Sequence, residues 1–299
     1  MNWQFFLEVL VGGLLAGVMY SLVALGFVLI YKASGVFNFA QGAMVFLAAL
    51  TFVSLLERGV NFWLAIGITL AVMVVLGIAI ERFVLRPLVN QPQITLFMAT
   101  IGLSFVLEGL SQLVFGSQPH GLEIGIPDVP MQWLSETTGI NVSQFDLFAA
   151  VVAGILVAVL AVFFQTTRIG RALRAVADDH QAALAVGIPL RQIWAIVWTV
   201  AGFVALVAGV MWGARNGVQY ALTFIALKAL PVLILGGFES VAGAIVGGLI
   251  IGASEKLAEV YLGPYVGGGL ESWFPYVLAL AFLLVRPEGL FGEKRIERV

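Results

Sequence analysis

Thr100, Ser104, Glu108, Ser111 and Gln112 fall at i, i+4, i+8, i+11 and i+12 in an otherwise apolar run from 94 to 115. On a helix they share one face, a polar stripe with a single carboxylate in its second half. Turned toward lipid such a stripe would be costly, since insertion scales place a central Asp at about 3 kcal/mol. It therefore faces a bundle interior, where it either lines a solute path or hydrogen-bonds a neighbouring helix; the residues leave both open. Lys228 is the other ionisable group well inside an apolar run, and a Glu108–Lys228 pair is the expected way to neutralise both.

Gly35-Val-Phe-Asn38-Phe-Ala-Gln41-Gly42 places two amide side chains between glycines at the start of another apolar run. A helix can break there and turn backbone groups toward a cavity, and uncharged amides bind polar solutes without demanding a counter-ion. The plainer reading is that Asn38 caps the following helix and Gln41 bonds within its first turn.

Residues 168–191 form the most polar stretch between two long apolar runs. Arg171, Arg174 and Asp178 recur at helical spacing opposite Leu173, Val176, Ala177, Leu184 and Ala185, so a short amphipathic helix ended by Gly187 and Pro189 is expected. Such a helix suits a groove on a partner, or equally an anchor among lipid headgroups.

Other chemistries find no support. There is no Cys, hence no disulfide, thiolate nucleophile or Cys-held metal. No Gly-x-x-x-x-Gly-Lys-Ser/Thr loop cradles ATP, and His120 and His180 stand in separate loops without metal-ligand spacing. No cofactor, metal or catalytic residue is expected, and no basic tract suggests nucleic acid.

The elements that must hold these groups are transmembrane helices. Of 299 residues, 61% are hydrophobic and 11% charged, and uncharged runs such as 9–31, 36–56, 60–80, 147–167 and 192–214 are near or beyond the roughly 20 residues that cross a bilayer. The ten-residue alternation of a β-barrel is absent, so the fold class is an all-α polytopic bundle. Candidate spans lie near 6–30, 37–56, 61–80, 94–115, 146–166, 193–213, 221–237, 241–258 and 272–286, a count of eight or nine. The uncharged cores 240–254 and 272–285 are short enough for half-helices or re-entrant segments. The first run is too long for a signal-peptide core and is expected to remain. Gly13-x-x-x-Gly17, Gly243-x-x-x-Gly247 and Gly248-x-x-x-Gly252 offer small faces for close helix approach.

Placing 167–192 in the cytoplasm puts Lys32, Arg82, Arg86, Arg168, Arg171, Arg174, Arg191, Arg286, Lys294, Arg295 and Arg298 inside. Only Arg58, Arg215 and Lys256 remain outside, a bias of 11 to 3 that satisfies the positive-inside rule with a cytoplasmic C-terminus.

The stretch Ala175-Val-Ala-Asp178-Asp179-His-Gln-Ala182-Ala-Leu-Ala-Val-Gly187-Ile188 resembles the cytoplasmic coupling loop of LivH-type permeases of branched-chain amino-acid ABC importers. Tyr20–Tyr31 with Asn38-Phe-Ala-Gln41-Gly42 is similar to that family's N-terminal block, and Leu235-Gly-Gly-Phe-Glu-Ser-Val-Ala-Gly243-Ala-Ile-Val-Gly247-Gly248 extends the match over most of the chain. Glu239 departs from it, standing where relatives usually carry a small residue.

The resemblance implies a single permease domain over 1–299 in the bacterial inner membrane. Its expected partners are a second, LivM-like permease, two ATP-binding subunits, a periplasmic solute-binding protein and the surrounding lipid. Branched-chain or related amino acids are the implied solutes, and ATP hydrolysis belongs to the partners. Coupling to the ATPases is expected through Arg171, Arg174, Asp178, Asp179, Ala182 and Gly187. Asn38, Gln41, Thr100, Ser104, Glu108 and Lys228 are the candidate path. A stand-alone secondary transporter or channel for urea or an amide is the alternative, but it would need more ion-coupling groups than Glu108 and Lys228, and it gives loop 168–191 no purpose.

Overall fold

A computed structural model describes residues 3–88, 91–178 and 180–292. Its helices are α1 (Trp3–Ser34), α2 (Gln41–Glu57), α3 (Phe62–Ile80, prolonged by a π turn Glu81–Leu85 and a 3-10 turn Arg86–Leu88), α4 (Gln93–Phe115), α5 (Gln132–Thr138) and α6 (Gln144–Thr166). They continue with α7 (Arg168–Asp178), α8 (His180–Ala185), α9 (Leu190–Asn216), α10 (Ile225–Gly236, after a 3-10 turn Tyr220–Phe224), α11 (Val241–Val266) and α12 (Phe274–Val285). Among the described residues there is no β-strand, only isolated bridges at His120–Val218 and Pro130–Ser143.

Among the described residues six helices are long and apolar enough to cross a membrane: α1, α3 with its extension, α4, α6, α9 and α11. Three shorter apolar helices, 41–57, 220–236 and 274–285, fill the remaining expected spans. The chain is therefore a polytopic helical membrane bundle. The expected boundaries hold best where breakers are strong and move where they are weak. The run expected to end near 258 continues as a helix to Val266, its 26 residues about 39 Å long. The short spans are α2, of 17 residues, α10, of 12, and α12, of 12, the last as expected for 272–285.

The chain forms two compact units, residues 26–124 with 159–226, and residues 1–25 with 125–158 and 227–299. In the first, α9 packs on α2 and α3 through small residues. A Cβ on Gly77 would stand 2.9 Å from Thr199 N, and one on Gly209 would stand 2.6 Å from Val45 O. Trp198 is wholly enclosed at this contact, and its neighbours Val197, Ala201 and Ala205 have no exposed surface. In the second unit the first half of α1 lies against α11 through Gly13 and Gly17, which face Gly252 and Gly248, as the GxxxG spacing predicts. Ser21 adds a bond across this contact, donating to Ile245 O at 3.3 Å while it also reaches Gly17 O in its own helix.

Large apolar side chains point outward on α3 (Trp63, Val75), α4 (Phe105, Leu113) and α6 (Ile155, Val162). Faces of this kind suit lipid or another membrane helix, because water would leave them unsolvated.

Candidate functional site

The polar stripe of α4 divides into three parts. Thr100 is fully buried; its Oγ accepts from Phe39 N at 3.2 Å and lies 3.1 Å from Phe37 O and 2.9 Å from Phe97 O. It thereby staples the non-helical segment 35–40 to α4. Around the same point the Phe27 and Phe37 rings stack, and Phe37–Phe39 and Phe39–Phe97 meet edge to face. Thr100→Val keeps the shape but strands the Phe39 N–H. It is expected to cost about 1–3 kcal/mol, read as a lower melting temperature of the purified chain in detergent; an unchanged melting temperature would contradict the staple. Ser111, also buried, donates to Leu107 O in its own helix and is a packing residue.

Ser104 and Glu108 form the second part. Ser104 Oγ donates to Glu108 Oε1 at 3.0 Å, and Tyr220 Oη donates to Glu108 Oε2 at 3.2 Å. The expected Glu108–Lys228 pair is corrected: hydroxyls hold Glu108, while Lys228 Nζ lies 2.8 Å from Glu255 Oε1. The third part is Gln112, one turn further along. It joins Phe46, Gln118, Gln219 and Tyr220 around an open cleft of about 260 Å³.

Asn38 and Gln41 are both fully buried. Asn38 Oδ1 accepts from Ala40 N at 3.1 Å and Asn38 Nδ2 donates to Gln41 Oε1 at 3.3 Å, so the pair shapes the turn into α2. The helix itself begins after Ala40 without a side-chain cap, which places Asn38 two residues before the capping position. Gln41 Nε2 packs on Gly26 of α1 and finds no acceptor among the described residues.

Lys228 belongs to a cluster that the sequence conceals. Its ammonium bonds Glu255 at 2.8 Å, Tyr20 Oη at 3.5 Å and Glu271 O at 3.4 Å, and Tyr20 Oη donates to Glu255 at 3.1 Å. Lys256 pairs with the Glu271 carboxylate next to it. Glu255 falls just past the uncharged core that ends at Ser254, near the expected end of its span; the continuation of α11 to Val266 makes it a buried intramembrane acid with a cation supplied from α10.

In 168–191 the residues on either side of Asp179 are helical as the spacing predicts, α7 before it and α8 after it. Leu173, Val176 and Ala183 are buried, whereas Leu184 and Val186 are 54% and 77% exposed. Ala182 is exposed beside them. The end of α8 is a Schellman turn: Ile188 N bonds Ala183 O, Gly187 N bonds Leu184 O, and Gly187 adopts φ +85°. Arg174 donates to Phe164 O at 2.7 Å and Gln165 O at 3.3 Å, and Arg171 reaches Thr166 O at 3.4 Å. Both arginines therefore cover the carbonyl end of α6, where cations are favoured. Asp179 lies outside the described residues, as does the side chain of Asp178.

Long apolar helices with outward apolar faces, an internally neutralised charge cluster and a basic loop between two spans define a multi-pass helical membrane protein. Residues 9–286 match the family described as the permease component of the branched-chain amino acid transport system, and the chain belongs to that family. It is 29% identical to the high-affinity branched-chain amino acid permease LivH of Salmonella typhimurium, over 100% of this chain and 99% of that protein. It is also 29% identical to BraD of Pseudomonas aeruginosa, over 98% of each. A more distant relative, the fructose import permease FruF of Bifidobacterium longum, is 24% identical over 79% of this chain and 66% of its own length. The chain is thus a permease subunit of an ABC importer family, as the coupling-loop and N-terminal motifs imply.

Proposed function

We propose that this chain is a single domain forming one of two membrane subunits of an importer for branched-chain amino acids. Its companions are a second, LivM-like permease, two ATP-binding subunits that perform the hydrolysis, and a periplasmic solute-binding protein. It sits in the bacterial inner membrane with loop 167–192 and its C-terminus in the cytoplasm, consistent with the 11 to 3 distribution of Lys and Arg.

The construction of 168–188 carries this reading. Arg171 and Arg174 tie α7 to the end of α6, Leu173 and Val176 are buried, and Leu184 and Val186 are left as exposed apolar knobs on a short, capped helix. A headgroup anchor would be expected to aim its arginines outward. Here Arg174 turns back onto the Phe164 and Gln165 carbonyls, and the exposed apolar side chains of Leu184 and Val186 are groups that fill a groove on a protein partner. A push on α8 then passes through a locked elbow into α6, which is how ATP-driven closure would change access to the solute path. Ser104 and Glu108 line that path, and Asn38, Gln41, Thr100 and Lys228 hold the helices that form it.

The test is ATP hydrolysis in proteoliposomes holding this chain with its neighbouring permease and ATPases, with and without leucine-loaded binding protein. Leucine-dependent stimulation is expected, and Leu184→Glu with Val186→Glu should lower it about tenfold or more, by removing two apolar anchors. Undiminished stimulation in that variant would remove the coupling assignment. Leucine flux through this chain without ATPases would show a secondary transporter or channel instead.

A further inference from the structure

Glu108 carries a negative charge within an apolar helix, and both of its hydrogen bonds come from neutral hydroxyls. Among the described residues no Lys, Arg or His lies within ion-pair distance of it. The same chain treats the buried acid of α11 differently, placing Lys228 against Glu255. An intramembrane carboxylate without a protein cation is costly unless a ligand supplies one.

The surroundings say which cation. Glu108 lies seven residues before the end of α4, about 10 Å along the helix axis, and one turn below Gln112 on the same face. Gln112 lines the open cleft of about 260 Å³, and Tyr220 belongs to both places, with its ring in the cleft wall and its hydroxyl on Glu108. The Phe46 ring meets Tyr220 edge to face at 6.3 Å, giving the cleft an aromatic wall. Gln112, Gln118 and Gln219 add amides. Pockets for drug-sized ligands run from about 300 Å³ upward, so this cleft suits a smaller solute.

We propose that Glu108 is the counter-ion for the α-ammonium group of an amino acid with an apolar side chain as it passes this cleft. The side chain lies against Phe46 and Tyr220, and the carboxylate accepts from the Gln112 and Gln118 amides. Ser104 and Tyr220 are positioning residues that hold the Glu108 carboxylate in place. The inference rests on the importer reading and adds to it a requirement for an amino group at the permease itself, which a neutral solute such as urea would not share.

Because the chain has no cysteine, Ser117→Cys at the cleft rim gives it a single thiol. In the full assembly, labelling of that thiol by a membrane-impermeant maleimide is followed by the mass of this chain. Leucine at saturating concentration is expected to slow labelling about tenfold, the lower end of the range for close charge pairs. 4-Methylpentanoate, which is leucine without its amino group, should leave the rate unchanged. Glu108→Gln should abolish the leucine effect and Glu108→Asp should retain part of it. Equal protection by both compounds, or protection that survives Glu108→Gln, would overturn the proposal. So would absence of leucine protection in an assembly that still takes up leucine with ATP, and that result leaves the importer reading intact. An assembly that neither takes up leucine nor hydrolyses ATP in response to it would overturn the importer reading, and this inference with it.

Discussion

Lys228→Met is expected to destabilise the second unit by about 3–5 kcal/mol, the cost of leaving a buried ionised partner without its counter-charge. Glu255 is 2% exposed, and the Lys228 ammonium at 2.8 Å is its cation. After the substitution the Tyr20 hydroxyl, 3.1 Å away, is the donor that remains to it among the described residues. The converse change, Glu255→Leu, should cost less, because Lys228 is about one-third exposed and keeps the Glu271 carbonyl within 3.4 Å. Combining Lys228→Met with Glu255→Leu removes both charges and should restore most of the stability, since an apolar pair of similar volume is often no worse than a buried ion pair. Melting temperatures in detergent or nanodiscs rank the four proteins. A double variant that melts no higher than Lys228→Met would dismiss the pair as the source of the effect.

Gly17→Leu is expected to prevent correct packing of α1 on α11. A Cβ there would stand 3.0 Å from Leu249 Cα, and one on Gly13 would stand 2.7 Å from Gly252 O and 2.8 Å from Ala253 Cα. The obstructing atoms are backbone, which cannot rotate aside, so the cost should exceed the usual overpacking range of about 1–3 kcal/mol. Gly12 supplies the control: a Cβ there meets nothing within 4 Å, and Gly12→Leu should be tolerated. Membrane accumulation and a monodisperse elution profile are the readouts. If the two variants behave alike, close approach at Gly17 is not what holds these helices.

The spans were readable from the sequence because hydrocarbon imposes a length and a composition that nothing else in the chain imitates. The polar stripe of α4 was readable for the same reason, since 3.6-residue periodicity places Ser104 and Glu108 on one face whatever the neighbours are. Partnership was not readable. Glu108 and Lys228 stand out as the ionisable groups inside apolar runs, but which acid meets which base depends on how far α11 continues past Ser254, and nothing local stops it before Val266. Tyr220 escaped notice because one tyrosine beside an apolar run is ordinary until its hydroxyl is seen on Glu108. Arg171 and Arg174 make contacts that the sequence does not show. Their spacing suggests a surface for a partner, while the turn between α6 and α7 folds them back onto the carbonyls of Phe164, Gln165 and Thr166.

The end of α10 has a consequence for synthesis. Leu235 O and Gly236 O are bonded by the backbone N–H groups of Leu290 and Phe291, and Lys228 in the same helix depends on Glu255. Translation proceeds at about 5–20 residues per second, so the 54 residues from 236 to 290 take roughly 3–11 seconds to appear. During that interval α10, 12 residues long with Pro231 inside it, has neither its charge partner in full nor its last carbonyls satisfied. It cannot settle in lipid as an independent span when it leaves the ribosome. It must be sheltered at the insertion site and enter the bilayer together with α11 and the strand of chain that follows α12.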